Sequence, residues 1–123
     1  MQILVVDDDP LAGEMIAAVL EEEGHQPVLA SSAIEGMEKL NEEEAIGLVI
    51  SDMNMPLVNG IDFFRELREQ GNQLPFILLT GDDPQKASEQ EAGLDACIMK
   101  DFSLDESLPG VLNQVLGNSS RSS

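Results

Sequence analysis

The chain contains no tryptophan and no tyrosine, and its only aromatic residues are four phenylalanines. Recognition of single-stranded nucleic acid leans on aromatic side chains that stack on bases, so that mode has little to work with here. Basic residues are scarce too: 6 Lys and Arg stand against 24 Asp and Glu, for a formal net charge of −18. Neutralising phosphates takes Lys and Arg, which argues against direct binding to nucleic acid and against anionic membranes. The acidity favours cations or basic partner surfaces, and otherwise serves solubility. There is one cysteine, Cys97, which excludes an internal disulfide and fits a reducing cytoplasm. No apolar run reaches the length of a membrane span. The opening run Met1–Val6 ends in acids and has neither the basic start nor the length of a signal peptide.

What is present suits one domain of 123 residues, 42% hydrophobic and 24% charged, large enough to bury a core without disulfides. Four nearly continuous apolar runs stand out: Ile3–Val6, Ile46–Ile50, Phe76–Leu79 and Cys97–Met99. Continuous rather than alternating apolar character marks strands covered on both faces, as in a parallel sheet. Gln26–Ala30 is a fifth strand whose Pro27 assigns it to an edge. Helical patterns lie between. Pro10–Glu23 carries Leu11, Met15, Val19 and Ala12, Ile16, Leu20 on one broad face and stops at Gly24. Ser32–Leu40 opens with the capping pair Ser32 and Glu35. Gly60–Gln70 and the short Pro84–Ala92 follow. Asp105–Leu116 is the last helix, and Pro109-Gly110 implies a late start or a distorted first turn. Strand and helix thus alternate five times. Right-handed crossovers then give a doubly wound (βα)5 α/β sandwich, flavodoxin-like, with a five-stranded parallel sheet of order 2-1-3-4-5. Residues 1–117 form this domain, and 118–123 are expected to be a disordered tail or the start of a linker.

In such sheets ligands bind beyond the carboxyl ends of the strands. Asp7, Asp8 and Asp9 follow the first strand, Asp52 the third, Thr80 the fourth and Lys100 the fifth. Polar residues from four strands therefore converge on one rim. Carboxylates crowded together need a cation or shifted pKa values, and Mg²⁺ suits a few carboxylates with water and a phosphate oxygen. Asp9, just before Pro10, reads as a helix cap. Asp52 is more telling, because an acid ending a buried apolar strand needs its own reason. Carboxylates attack phosphorus to form aspartyl phosphates, and Lys100 is a compact counter-charge for the transferring group. Thr80 has a hydroxyl to offer a phosphoryl oxygen, and Gly81 leaves the backbone approachable.

These residues carry a resemblance. Val5-Val6-Asp7-Asp8, then Val49-Ile50-Ser51-Asp52-Met53-Asn54-Met55-Pro56 with Gly60, then Leu78-Leu79-Thr80-Gly81, then Met99-Lys100 resemble the response-regulator receiver family of two-component signalling, over the chain up to Gly117. The resemblance implies that Asp52 accepts a phosphoryl group from a histidine kinase or phosphotransfer protein. It implies that Asp8, Asp52 and the backbone carbonyl of Asn54 hold Mg²⁺, with Asp7 assisting. Thr80 and Lys100 would contact the phosphoryl group. The side chains of Asn54 and Asp82 would set the lifetime of the aspartyl phosphate, which such domains both form and hydrolyse themselves. Pro56 and Gly60 would shape the loop after the third strand, in keeping with turn chemistry. Output would run to a downstream protein through the face of helix four, strand five and helix five, from a monomer or weak dimer.

Two positions depart from the family pattern. Asp101 follows the lysine where a proline with a cis bond is usual; a cis bond without proline costs about 2.5–4 kcal/mol, so a trans bond is expected. Cys97 holds the position of the aromatic whose rotation is coupled to Thr80, and it reads as a small buried hydrophobe at this switch position. Three other readings are open. The chain is a degenerate receiver that binds partners without phosphorylation; or a phosphatase with Asp7 as nucleophile, for which it is short; or a nucleotide binder, for which no Gly-rich loop follows the first strand.

Overall fold

The computed structural model describes residues 1–101 and 103–121. Its elements run β1 (Gln2–Val6), α1 (Pro10–Glu22), β2 (Gln26–Ala30), α2 (Ala33–Glu42), β3 (Ile46–Asp52), α3 (Gly60–Glu69), β4 (Phe76–Thr80), α4 (Pro84–Gln90), β5 (Ala96–Met99) and α5 (Leu104–Arg121). All five strands are parallel, in the order β2-β1-β3-β4-β5, as the alternating pattern predicts. Pro27 does lie on an edge strand, where its missing N–H breaks no outer ladder.

Side chains alternate across the sheet and build two cores. Ile3, Val5, Leu48, Ile50, Ile77 and Leu79 face α1 and α5, meeting Ile16, Leu20, Leu108 and Leu112. Leu4, Val6, Val49, Phe76 and Leu78 face the other way, onto Ile61, Phe63, Phe64 and Leu67 of α3. Burial on both faces is the physical reason the strands read as unbroken apolar runs. Phe63 and Phe64 each meet Phe76 edge to face, at centroid distances of 5.8 and 5.2 Å.

Local signals set the helix starts. Asp9 caps α1, its carboxylate accepting from the Leu11 N–H at 3.0 Å, and Pro10 takes the first helical position. Ser32 Oγ accepts from the Glu35 N–H at 3.1 Å, but the Glu35 carboxylate takes the Ser31 hydroxyl instead of returning to Ser32. The capping box is thus half formed.

Two expectations are corrected. The buried face of α1 consists of Gly13, Ile16, Ala17, Val19 and Leu20, whereas Leu11 is 76% exposed and Met15 41%. The helix begins at the rim where β1 has ended, so its first turns have less sheet beneath them. The last helix starts early, at Leu104, rather than late: the Leu104 N–H bonds to the Asp101 carbonyl and the Ser107 N–H to the Ser103 carbonyl. Pro109 therefore falls in the second turn, where it withholds a donor from Asp105, an exposed residue open to water. The α5 backbone runs into the stretch 118–123 expected as tail or linker, of which 122 and 123 lie outside the described residues.

Candidate functional site

The rim predicted from the strand ends is where the polar residues gather. Asp7 leaves β1, Asp52 ends β3, Thr80 ends β4 and Lys100 follows β5. Asp7, Asp52 and Thr80 are at most 5% exposed, while Asp8 is exposed. One carboxylate oxygen from each of Asp7, Asp8 and Asp52 falls within 4.8 Å of the others. Lys100 reaches over them, its Nζ 2.7 Å from Asp7 Oδ2 and 3.3 Å from Asp52 Oδ2.

Each side chain is held by its backbone. Ser51 Oγ, fully buried, donates to the Asp52 carbonyl at 3.0 Å, and the Met53 N–H donates to Leu79 at 2.7 Å, so the end of β3 is fixed just past the acid. Asp7 Oδ1 accepts from the Asp9 N–H at 2.9 Å. Asp7 Oδ2 is buried against the Lys100 ammonium at 2.7 Å, a charge-assisted contact. Thr80 Oγ1 accepts from the Asp82 N–H at 3.1 Å, which leaves the hydroxyl proton free for another acceptor.

Lys100 owes its aim to its main chain. Its N–H donates to the Thr80 carbonyl at 2.7 Å, continuing the β4–β5 ladder past Met99. No peptide bond among the described residues is cis, so the Lys100–Asp101 bond is trans, as expected without proline. Asp101 has a task of its own. Its carboxylate accepts from the Ser103 N–H at 3.0 Å and the Ser103 hydroxyl at 2.8 Å, and its carbonyl takes the Leu104 N–H. It therefore turns the chain into α5.

Electrostatics follow burial. Desolvation pushes the Asp52 carboxyl above its ordinary value; Lys100 pulls it down and Asp7 adds to the rise. Burial works against the Lys100 ammonium, but the contacts and charges of Asp7 and Asp52 outweigh it, and its pKa is raised. The donors at this rim are hard carboxylate oxygens of three acids close together, a donor set that fits Mg²⁺.

The other predicted residues sit around this centre. Asn54 and Asp82 are exposed on the loops after β3 and β4. Cys97 pairs in register with Leu78 and packs half-buried against the α3-side core, which raises its thiol pKa. Gly60 does more than shape a loop. A Cβ built there would stand 2.6 Å from the Asp52 carbonyl oxygen and 2.4 Å from Leu78 Cδ1. Glycine at this position lets α3 start directly against the end of β3. The Gly after Pro56 in the sequence carries no mark of that closeness, which depends on the facing strand.

A doubly wound parallel sheet with a recessed carboxylate, two neighbouring acids and an inserted lysine at its carboxyl rim defines the class of α/β module to which the chain is compared. The sequence model of the response regulator receiver domain matches residues 3–110, and the chain belongs to that family. It is similar to the transcriptional regulatory protein CpxR homolog of Haemophilus influenzae, 37% identical over 103 residues that cover 82% of this chain and 44% of the relative. The chain thus spans a little under half the length of that relative. Among solved structures it resembles a response regulator receiver domain protein of Clostridium thermocellum, with a TM-score of 0.86, 27% identity and coverage of 99% of this chain and 98% of that one. It also resembles the response regulator TrrA of Thermotoga maritima, solved in complex with Mg²⁺–BeF, with a TM-score of 0.81, 30% identity and coverage of 93% and 97%.

Proposed function

We propose that this receiver domain accepts a phosphoryl group on Asp52 from a phosphohistidine donor, with Mg²⁺ bound beside it. One observation carries the reading: Asp52 is buried at a strand end, beside two further carboxylates, with an ammonium 3.3 Å away. Nothing in the packing of the domain calls for that arrangement, and burying ionised groups works against folding.

Asp7, Asp8 and Asp52, with the Asn54 carbonyl, would hold the ion, which when bound supplies positive charge to the phosphoryl oxygens. An Asp52 oxygen attacks phosphorus. A P–O bond forms as the donor's P–N bond breaks, and the bonding electrons stay on the imidazole nitrogen. Lys100 turns its ammonium from the free carboxylate to the transferred oxygens, and Thr80 donates its free hydroxyl proton to one of them. Asn54 and Asp82, exposed at the mouth, control the approach of the water that later hydrolyses the acyl phosphate. The modified domain then signals to a downstream protein through the α4–β5–α5 face, with Thr80 and Cys97 at the switch. The relatives' identity as transcriptional regulators and the Mg²⁺–BeF complex of TrrA support this reading.

Incubation with Mg²⁺ and acetyl phosphate, followed by intact mass, tests it. The expected result is one added phosphoryl group, absent in Asp52→Asn. Mg²⁺ binding without any labelling, and without response to beryllofluoride, would instead identify a degenerate receiver that works by protein contact alone. Label on Asp7 with steady turnover would identify a phosphatase.

A further inference from the structure

Ser51 places a hydroxyl in an otherwise apolar row. It is 0% exposed and pairs in register with Val6 of β1 and Leu78 of β4, both in the α3-side core. Val49, two residues back on the same face of β3, is apolar as well. Packing alone would put an apolar side chain at 51, because a buried hydroxyl costs free energy unless it is bonded. This hydroxyl donates to the Asp52 carbonyl at 3.0 Å. That carbonyl is in need of a donor. The odd residues of β3 bond to β4: the Val49 N–H goes to Pro75 and the Met53 N–H to Leu79. The even residues therefore face β1, where the N–H in register with the Asp52 carbonyl would be that of Asp8, past the end of the strand at Val6. Among the described residues, no backbone N–H beyond the strands donates to this oxygen. The Gly60 backbone packs close to it, but the Gly60 N–H goes to the Met53 carbonyl instead, at 2.9 Å. Ser51 supplies what neither the ladder nor the helix does.

We infer that Ser51 is a positioning residue for the phosphoacceptor: its hydroxyl fixes the Asp52–Met53 peptide, and through it the aim of the Asp52 carboxylate. The inference rests on the phosphoacceptor reading of Asp52. The direction of the carbonyl sets the plane of that peptide. On one side of the plane stands the Asp52 Cα, which carries the carboxylate. On the other the chain runs through Met53 to the Asn54 carbonyl, a proposed ligand of the ion. The N–H of the same peptide is held by Leu79 of β4 at 2.7 Å, so the group is gripped at both ends, by a strand and by a side chain. Without the hydroxyl the carbonyl is left without a donor at a residue only 4% exposed, and tilting toward the water at the rim becomes favourable. A tilt there swings the carboxylate away from Lys100, which is 3.3 Å from Oδ2. Phosphoryl transfer depends on positioning and counter-charge more than on covalent help from the protein, so a small loss of aim is felt directly in the rate.

The sequence allows this peptide to be observed by itself. Asp52-Met53 is the only Asp–Met pair in the chain. Protein made with carbonyl-¹³C aspartate and ¹⁵N methionine therefore gives a single carbonyl-edited amide resonance in NMR. In Ser51→Ala that carbonyl resonance is expected to move upfield, as carbonyls do on losing a hydrogen bond. Phosphorylation by acetyl phosphate at saturating Mg²⁺, followed by intact mass well below the thermal midpoint, is expected to slow about tenfold or more. Ser51→Thr keeps the hydroxyl and should restore both the resonance and the rate. Ser51→Cys, with a weaker donor, should fall between the two. It also carries the comparison where the alanine or threonine variant does not fold. Phosphorylation of Ser51→Ala at the wild-type rate overturns the inference. Slow phosphorylation with the carbonyl resonance in place overturns it too, because the loss then comes from packing. So does a threonine variant whose resonance returns while its rate does not. A wild-type protein that acetyl phosphate does not phosphorylate removes the acceptor reading itself, whatever the resonance shows.

Discussion

Gly60→Ala should damage both the stability of the domain and the site proposed as the phosphoacceptor. The added methyl would stand 2.4 Å from Leu78 Cδ1, 2.6 Å from the Asp52 carbonyl oxygen and 3.1 Å from Met53 Cα. The first contact could be relieved by a side-chain rotation, but Leu78 is fully buried in the α3-side core. The second and third are backbone atoms of the β3 end, held by the Met53 N–H bond to Leu79. Relief therefore requires α3 to lift from the sheet or β3 to bend. Overpacking of this kind costs about 1–3 kcal/mol. For a domain of this size each kcal/mol lowers the thermal midpoint by roughly 3–6 °C, so a fall of about 3–18 °C is expected. Gly110→Ala is the matched control, because nothing lies within 4 Å of its Cβ and it sits inside α5. Helix propensity should make that variant more stable by about 0.5–1 kcal/mol. Differential scanning calorimetry in Mg²⁺-free buffer measures both. Acetyl phosphate labelling, run well below either midpoint, should be slowed in Gly60→Ala alone, because the shift falls on the backbone of Asp52. A Gly60→Ala protein that melts at or above the wild-type temperature would refute the reasoning.

Further predictions concern the charged groups. Lys100→Met leaves Asp7 and Asp52 facing each other without the ammonium at 2.7 and 3.3 Å; without Mg²⁺ it should lose about 1–3 kcal/mol in urea unfolding, and Mg²⁺ should restore more stability to it than to the wild type. Asp8→Asn should weaken Mg²⁺ binding, read by calorimetric titration, with little change in stability, because Asp8 is exposed. Asp7→Asn should lose both: the amide oxygen keeps the Asp9 N–H bond, but Lys100 loses its closest partner. Burial raises the Cys97 pKa, so the folded state holds that proton more tightly than the unfolded chain. The resulting stability is present below the unfolded thiol pKa and is lost as pH rises through the folded value. Cys97→Ala should flatten that alkaline loss in denaturant titrations across pH, and iodoacetamide should label native Cys97 more slowly than the unfolded chain.

The strands were legible because their chemistry is local to the run: residues such as Leu48, Val49 and Ile50 are apolar without a break, and only burial on both faces permits that. The order of the sheet followed from Pro27 and from right-handed crossovers. The four polar residues at strand ends could be found by reading one residue past each run. What escaped the sequence depends on distance rather than pattern. The apolar spacing of α1 is compatible with a face that includes Leu11 and Met15, and only the position of the helix start relative to the sheet leaves them exposed. Asp101 read as a lost proline, whereas it forms the turn that leads into α5. The aim of Lys100 could not be deduced from its place in the chain, because it depends on the bond to Thr80 across two strands. Leu57 contradicts its backbone conformation, a φ of +70°, so no reading of residue preference would have located its turn.

The distribution of unfavourable features gives the sharpest division of the molecule. The buried polar residues described are Asp7, Ser51, Asp52 and Thr80, and all four lie at the carboxyl ends of β1, β3 and β4. The close approach at Gly60 and the strained turn at Leu57 belong to the loop that leaves the same rim. The end of the sheet where β4 and β5 begin is different in kind. There Arg68 lies over the Phe64 ring at 4.4 Å and 3.6 Å from Asp95, whose carboxylate accepts the Phe76 N–H at 2.8 Å. Arg65 binds Glu91 at 2.9 Å and the Gln90 carbonyl at 3.2 Å, tying α3 to the end of α4. These charges are half in solvent and each has a partner, so they hold elements together at little desolvation cost. At the opposite rim charges are buried close to one another, and Lys100 offsets only part of the combined effect of burial and the Asp7 charge on Asp52. A sequence selected for stability alone would place apolar residues at the ends of β1 and β3, as it does along their lengths. The site is therefore recognisable by energetic argument as well as by motif, because it is the region that the rest of the fold must stabilise.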